Sequence, residues 1–368
     1  MGARSARSDR RGRPLRLLTG GGAWCVGVLL TAAGAGLGVA RVFDSGLSAV
    51  AVVGLVVFAL GLALLGTGIV FVVRGIRGRW KIGAIPLVLF LTLFLIAPLS
   101  LAVYATNVPP TPLGVATPAD RGLAYEDVSF TTSDGVTLDA WFIPSRNGSA
   151  IVLLHGAGST RANTLDHAEV LAQSGYGVLA LDSRGHGASG GRAMDFGWHG
   201  ARDLEAAVTY LEERPEVTEG RIAAVGLSMG GEQAITAAAS DERILVVVAE
   251  GVTRRVQADD VWLPRHLGGW IQRGMDWIMH GVAGILSGAE PPMGLRDAVV
   301  AIASRPVLLI AAGSGDEVTA GRYYRDAAPQ NVELWEIPEA PHIGGLAARP
   351  EEWRQRVIGF LDQALKTQ

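Results

Sequence analysis

The fold class read from this sequence is α/β: N-terminal transmembrane helices, then a mostly parallel sheet with helices on both faces and a lid insertion. Three observations lead there. Three long apolar runs fill the first hundred residues, a Pro-rich stretch follows them, and from Val128 onward short apolar strands alternate with helical patterns. Charge divides at the same place. Residues 1–118 hold 11 basic and 2 acidic side chains, a net of +9, so a total of −3 leaves −12 for the remainder. The single cysteine, Cys25, allows no intrachain disulfide, and no zinc or iron–sulfur ligand spacing occurs. No cofactor or metal is expected, and no nucleic-acid partner.

The anchor is assigned to residues 1–106, with spans at about 15–39, 47–73 and 82–104. At about 1.5 Å per residue each run crosses about 30 Å of hydrocarbon. Arg4, Arg7, Arg10, Arg11, Arg13 and Arg16 precede the first run, and Arg74, Arg77, Arg79 and Lys81 separate the second from the third. Both clusters are expected on the cytoplasmic side, so the third helix exits outward and the domain after it, from about Asn107 onward, is expected to be extracytoplasmic. Diluted by Gly20–Gly22, Gly34, Gly36 and Gly38, the first run also reads as a cleavable signal, which leaves the domain on the same face. Gly34 and Gly38 form a GxxxG spacing, though a flexible glycine-rich anchor is the simpler reading. The second and third runs contain no acidic residue, which argues for an anchor over a transporter.

Residues 107–119, "NVPPTPLGVATP" and Ala119, suit an extended tether that protease could cut to release a soluble fragment. Domain 120–368 opens with "VSFTTSDGVTLDAWFIP", two alternating strands around the Asp134-Gly135 turn. Strand and helix then alternate: "AIVLLHG", a helix near Arg161–Ser174, "GVLALD", a helix near Ala201–Glu213, "RIAAVGLS", a helix from Met229, and "ILVVVAE". Apolar strands alternating with helices mean a parallel sheet covered on both faces. After a variable lid at about 251–297 come "PVLLIAAG", "NVELWEIP" and a last amphipathic helix near Glu351–Lys366.

In "AVGLSMGG", Ser228 follows a strand and opens a helix, the context that a GxSxG elbow needs. A serine hydroxyl is a weak nucleophile at neutral pH and requires a base that is itself held by a carboxylate. His342 in "EAPHIGG" follows the last strand. Asp316 in "AGSGDEV" follows the strand before it and is the expected acid, with Glu250 at the end of "VVVAE" a rival. Two N–H donors should receive the oxyanion: Met229 from the elbow and Ala157 from the loop after "IVLLHGAG". His155 is expected to brace that loop. His167, His199, His266 and His280 read as surface, loop or lid residues, and Asp203 as a charge at a helix N-terminus. In the lid, Met275, Ile278, Met279, Val282, Ile285 and Leu286 recur at helical spacing near Trp262, Trp270 and Trp277. They suit a core-packed helix, an acyl-binding wall or a membrane-dipping lid.

"SDGVTLDAWFIP", "LLHGAG", "LDSRGHGASGG", "VGLSMGG", "GSGDEV" and "PHIGGLAARPEEWRQRVIGFLD" occur in one order along residues 120–368. This combination resembles the bacterial serine hydrolases of the α/β-hydrolase fold superfamily. The resemblance implies catalytic roles for Ser228, Asp316 and His342, and oxyanion roles for Ala157 and Met229. It implies a structural role for Asp182, Arg184, His186 and Ser189. The expected function is a membrane-anchored serine hydrolase cleaving carboxylic ester or thioester bonds of a small-molecule or lipid-like acyl substrate. A serine peptidase or acyltransferase would use the same triad, and a catalytically silent sensor or scaffold is the non-enzymatic alternative.

Overall fold

The computed structural model describes residues 2–313 and 315–366, with side chains from residue 14 to residue 365 except 314, so the side chains of the arginine cluster through Arg13 lie outside the described residues. The chain forms two compact units: Met1–Val108 with Pro264–Gly288, and Pro109–Leu263 with Ala289–Gln368.

In the first unit, helix Gly2–Gly34 runs on through a π-helical turn, Ala35–Val39, into Ala40–Ser45, followed by helices Ala49–Gly75 and Trp80–Ala105. Three segments, Pro14–Ser45, Ala49–Gly75 and Trp80–Ala105, are long and apolar enough to cross a membrane. The first two pack along a glycine seam that the sequence reading took for flexibility. Gly54, Gly61, Gly68 and Gly75 recur every seven residues and meet Gly38, Thr31, Trp24 and Leu17, which descend by the same interval. Gly27 and Gly34 meet Leu65 and Phe58 in return. A Cβ at most of these positions would overlap the opposing backbone, so small size, and not mobility, is what the seam requires. A seven-residue period keeps one stripe facing an antiparallel neighbour, as in a left-handed coil.

The second unit is built on an eight-stranded sheet: β1 (Glu126–Thr131), β2 (Thr137–Ile143), β3 (Ala150–Leu154), β4 (Gly177–Leu181), β5 (Ile222–Leu227), β6 (Ile244–Glu250), β7 (Val307–Ala312) and β8 (Val332–Ile337). Their spatial order is β1-β2-β4-β3-β5-β6-β7-β8, with β2 antiparallel to both neighbours and all pairs from β4 to β8 parallel. Side chains of β3 alternate between two cores. Ala150, Val152 and Leu154 meet Leu204, Val208 and Ile235 on one face, while Ile151 and Leu153 meet Leu171, Tyr176 and Trp353 on the other. Helix Gly200–Glu212, helix Met229–Ser240 and helix Pro350–Lys366 cover these faces.

Two of the expected segments gain detail here. The tether touches the second unit at several points, with Thr111 accepting the Gly187 N–H at 2.9 Å, Leu113 packed with Trp141 and Leu165, and Pro118 buried, while Pro112, Gly114, Val115 and Ala116 are exposed. Leu113 and Pro118 give the stretch apolar area to bury, which a free spacer lacks. The lid also divides. Its middle, helix Leu267–Ser287, belongs to the unit of the N-terminal helices, whereas helix Leu295–Ile302 packs in the sheet's own core through Leu295, Ala298, Val299 and Ile302.

Candidate active site

Ser228 stands between β5 and helix Met229–Ser240 with φ 52° and ψ −121°, a left-handed backbone that costs a non-glycine residue about 1–3 kcal/mol. The flanking glycines make this turn possible. A Cβ on Gly226 would overlap Gly230, and one on Gly230 would lie 2.6 Å from His155 O. The Ser228 N–H donates to Glu250 O at 2.7 Å, which joins the elbow to the end of β6. Met229 is the first residue of the helix, where N–H groups have no acceptor within the helix and point toward the turn.

His342 lies in the turn after β8, closed by the Gly344 N–H on Pro341 O at 2.8 Å. Its ring rests beside Gly251, the residue after β6, where a Cβ would be 2.9 Å from Cε1. Ser228 and His342 thus meet the carboxyl ends of neighbouring strands. The carboxylate beside His342 is not the one expected from sequence. His342 Nδ1 donates to Glu317 Oε1 at 2.7 Å, while Asp316 is exposed on the first turn of helix Gly315–Ala327. Glu317 is buried, and its Oε2 accepts the Ala312 N–H at 2.9 Å, which fixes the carboxylate against the end of β7. A helix cannot turn two successive side chains the same way, so with residue 317 inward, 316 faces solvent. Glu317, Ala320, Gly321 and Tyr324 are the buried residues of this helix. That i, i+3, i+4, i+7 stripe was a readable signal for Glu317. Glu250 is engaged elsewhere, accepting the Gly345 N–H at 2.7 Å and the Trp353 indole N–H at 3.3 Å. The Glu317 hydrogen bond raises the His342 pKa above the usual imidazole range, against partial burial.

The loop after β3 passes the elbow closely: a Cβ on Gly156 would lie 3.3 Å from Ser228 Cβ. Ala157 follows it and is exposed. Two buried histidines hold this loop. The Ser183 N–H donates to His155 Nε2 at 3.1 Å, which leaves Nδ1–H to donate to Gly156 O at 2.8 Å. The Gly158 N–H donates to His186 Nε2 at 3.3 Å, and the two rings meet edge to face with centroids 4.8 Å apart. Burial, and then the neighbouring His186, push the His155 pKa down to about 3, so it serves as a neutral brace. The structural role expected of His186 takes this form, a second brace on the loop after β3.

Asp182 accepts the Arg161 N–H and guanidinium, each at 2.7 Å, and the Ala188 N–H at 2.9 Å. Ser189 donates to Asp182 O at 2.6 Å. Arg184 bridges Asp134, at 2.8 Å, and the buried Asp203, at 2.6 Å. Asp203 is therefore half of a buried ion pair as well as a first-turn charge. His167, expected at the surface, is buried edge to face on Trp353 with centroids 5.2 Å apart. A cleft of ≈ 460 Å³ opens beside Leu227 and Ile343, the sequence neighbours of Ser228 and His342, between apolar Val170 and Leu346 and charged Asp166 and Arg354. Among the described residues no group of three or more His, Cys, Asp or Glu is arranged to hold a metal ion.

A strained serine elbow, a histidine on a buried carboxylate and a braced glycine loop at one edge of a parallel sheet define a class, and comparison agrees. Residues 145–283 match the family model for serine aminopeptidase, S33. The fold is similar to a Pyrococcus furiosus esterase, 30% identical, with 70% of this chain and 98% of that one covered and a TM-score of 0.56. The chain belongs to the α/β-hydrolase superfamily. It is also similar to a polyketide transferase from a Penicillium species, 37% identical over 131 residues (34% of this chain, 45% of the relative). A thiohydrolase of Aspergillus aculeatus is 32% identical over 129 residues (34% and 41%). The chain thus spans less than half the length of these two curated relatives.

Proposed function

We propose that the protein is a membrane-anchored serine hydrolase that cleaves carboxylic ester or thioester bonds through an acyl-enzyme. The observation that carries this reading is the 2.7 Å bond from His342 Nδ1 to buried Glu317, at the same sheet edge as the strained Ser228. With Nδ1–H committed to Glu317, Nε2 carries the lone pair. In the reading, Ser228 Oγ attacks the carbonyl carbon while its proton passes to His342 Nε2. Negative charge on the carbonyl oxygen is received by the Met229 and Ala157 N–H groups, each donor worth about 2.7–4 kcal/mol of barrier. Collapse expels the alcohol or thiol, which takes the proton from Nε2, and water repeats the sequence to release the acid. The esterase and thiohydrolase relatives support ester and thioester substrates.

The three apolar segments anchor the chain in this reading, with the arginine-rich connections cytoplasmic and the α/β unit outside. A fluorophosphonate probe on membranes should label the full-length chain at Ser228 and label the Ser228→Ala variant not at all. Equal labelling of both would refute the nucleophile. The transferase relative favours a second reading, in which an alcohol or thiol replaces water as acceptor. Ester product formed in preference to acid when acceptor is added would establish it.

A further inference from the structure

Helix Leu267–Ser287 packs within the unit of the N-terminal helices. At Gly274 a Cβ would come 2.8 Å from Phe94 Cζ, on helix Trp80–Ala105. Phe94 lies 11 residues before Ala105, so at about 1.5 Å per residue it sits about 16 Å along that helix, near the middle of a hydrocarbon layer about 30 Å thick. Leu267, Trp270, Gly274, Trp277, Gly281 and Ile285 recur at intervals of three and four and form one face. On it Leu267, Trp270, Trp277 and Ile285 are 76%, 61%, 62% and 83% exposed. Asp276, Met279, His280 and Ala283 are buried, which leaves the polar side of the helix away from that face. Asp276 accepts the Gln272 amide N–H at 2.8 Å. Arg273 reaches back to Pro264 O at 3.2 Å with its guanidinium 5.1 Å over the Trp270 ring, an arrangement that carries a charge toward the helix start and away from its middle.

We infer that this helix is inserted in the bilayer as a lipid-facing arm beside the third span, with Trp270, Trp277 and Ile285 against acyl chains. A water-exposed lid has no use for four large apolar side chains on one face, whereas a helix in contact with mid-span Phe94 shares the solvent of that span. The inference rests on the membrane reading above. It implies that the α/β unit is held at a second place besides Val108–Pro109, because the chain leaves it after Leu263 and re-enters at Ala289. Cutting the 107–119 stretch would then leave the hydrolase attached.

The test uses the full chain in a Cys25→Ala background, with Trp270→Cys, Trp277→Cys or Ile285→Cys added singly and carrying a nitrobenzoxadiazole dye, in phosphatidylcholine vesicles. Leu89→Cys on the third span and Glu213→Cys on the exposed surface of the α/β unit are references. Quenching by lipid doxyl-labelled at mid-chain should come within about twofold of that at residue 89, and iodide quenching should be several-fold below that at 213. Iodide quenching at 270, 277 and 285 equal to that at 213, with 89 still quenched by doxyl lipid, would overturn the arm alone. Iodide quenching at 89 as well would overturn the membrane reading and the arm with it.

Discussion

Glycine does opposite work in the two units. Between the first two helices, residues such as Gly54, Gly61 and Gly68 sit in ordinary helical backbone and are required because a neighbouring main chain occupies the space of a Cβ. At the sheet edge, glycine instead makes room for strain and reactivity: Gly226 and Gly230 permit the Ser228 turn, and Gly251, at φ 76°, clears the His342 ring. The polar inventory of two long apolar helices differs from that of the sheet in the same direction. Helices Ala49–Gly75 and Trp80–Ala105 hold no acidic residue, while the α/β unit buries Asp182, Asp203, Glu250 and Glu317, each with a donor within 3 Å. A long apolar helix satisfies its own backbone and needs only close packing. A reactive edge must hold charges in place, and each buried one demands a partner.

The separation can be tested by breaking each side alone. Ser228→Ala should lower ester turnover by about 10³-fold or more with thermal unfolding unchanged, since nucleophile and base act as one unit. A residual rate within tenfold of the parent would place the nucleophile elsewhere. The acid comes next: Glu317→Gln should cost about 10²–10⁴-fold through loss of imidazole orientation, whereas Asp316→Asn should stay within about threefold. The reverse ranking in matched kinetics would restore Asp316 and discard the geometry at helix Gly315–Ala327.

Gly61→Leu addresses the other unit. It should destabilise the helix pair by about 1–3 kcal/mol, seen as a lower unfolding temperature in detergent, yet leave hydrolysis of a soluble ester unchanged. Equal loss of both would show the units to be energetically coupled.

Dependence on pH should be a smaller effect. The Glu317 bond raises the His342 pKa, so the base stays protonated to higher pH than a free imidazole, and the acid limb of kcat/KM should lie above the ordinary histidine range. Glu317→Gln removes that support and should move the limb to lower pH in a full rate profile, even as the plateau falls. A limb that does not move would mean that the titrating group is not His342. Smallest of all, Glu250→Gln should leave turnover within a few-fold, because an amide oxygen still accepts from Gly345 and the hydrogen bond from His342 Nδ1 goes to Glu317.

Several features of this protein were decided by the order of residues alone. Apolar run length separates the three N-terminal helical segments from the α/β half, since the length that could cross a membrane is set by bilayer thickness and helix rise. Strand–helix alternation sets the parallel sheet, and glycine spacing around Ser228 sets the elbow, because these constraints act between residues a few positions apart. The seven-residue interval of Gly54, Gly61, Gly68 and Gly75 was equally legible, but its meaning depends on a partner helix that the interval does not name. Whether Asp316 or Glu317 faces His342 turned on the phase in which one helix leaves β7, a rotation of about 100° per residue that only packing of Ala320, Gly321 and Tyr324 selects. Likewise Leu267–Ser287 is amphipathic by sequence, but which of its faces is covered, and that Phe94 lies against Gly274, follows from contacts between segments 180 residues apart. Local spacing fixes what a segment can be. Its neighbour fixes which way it turns, because burial is a property of pairs of surfaces.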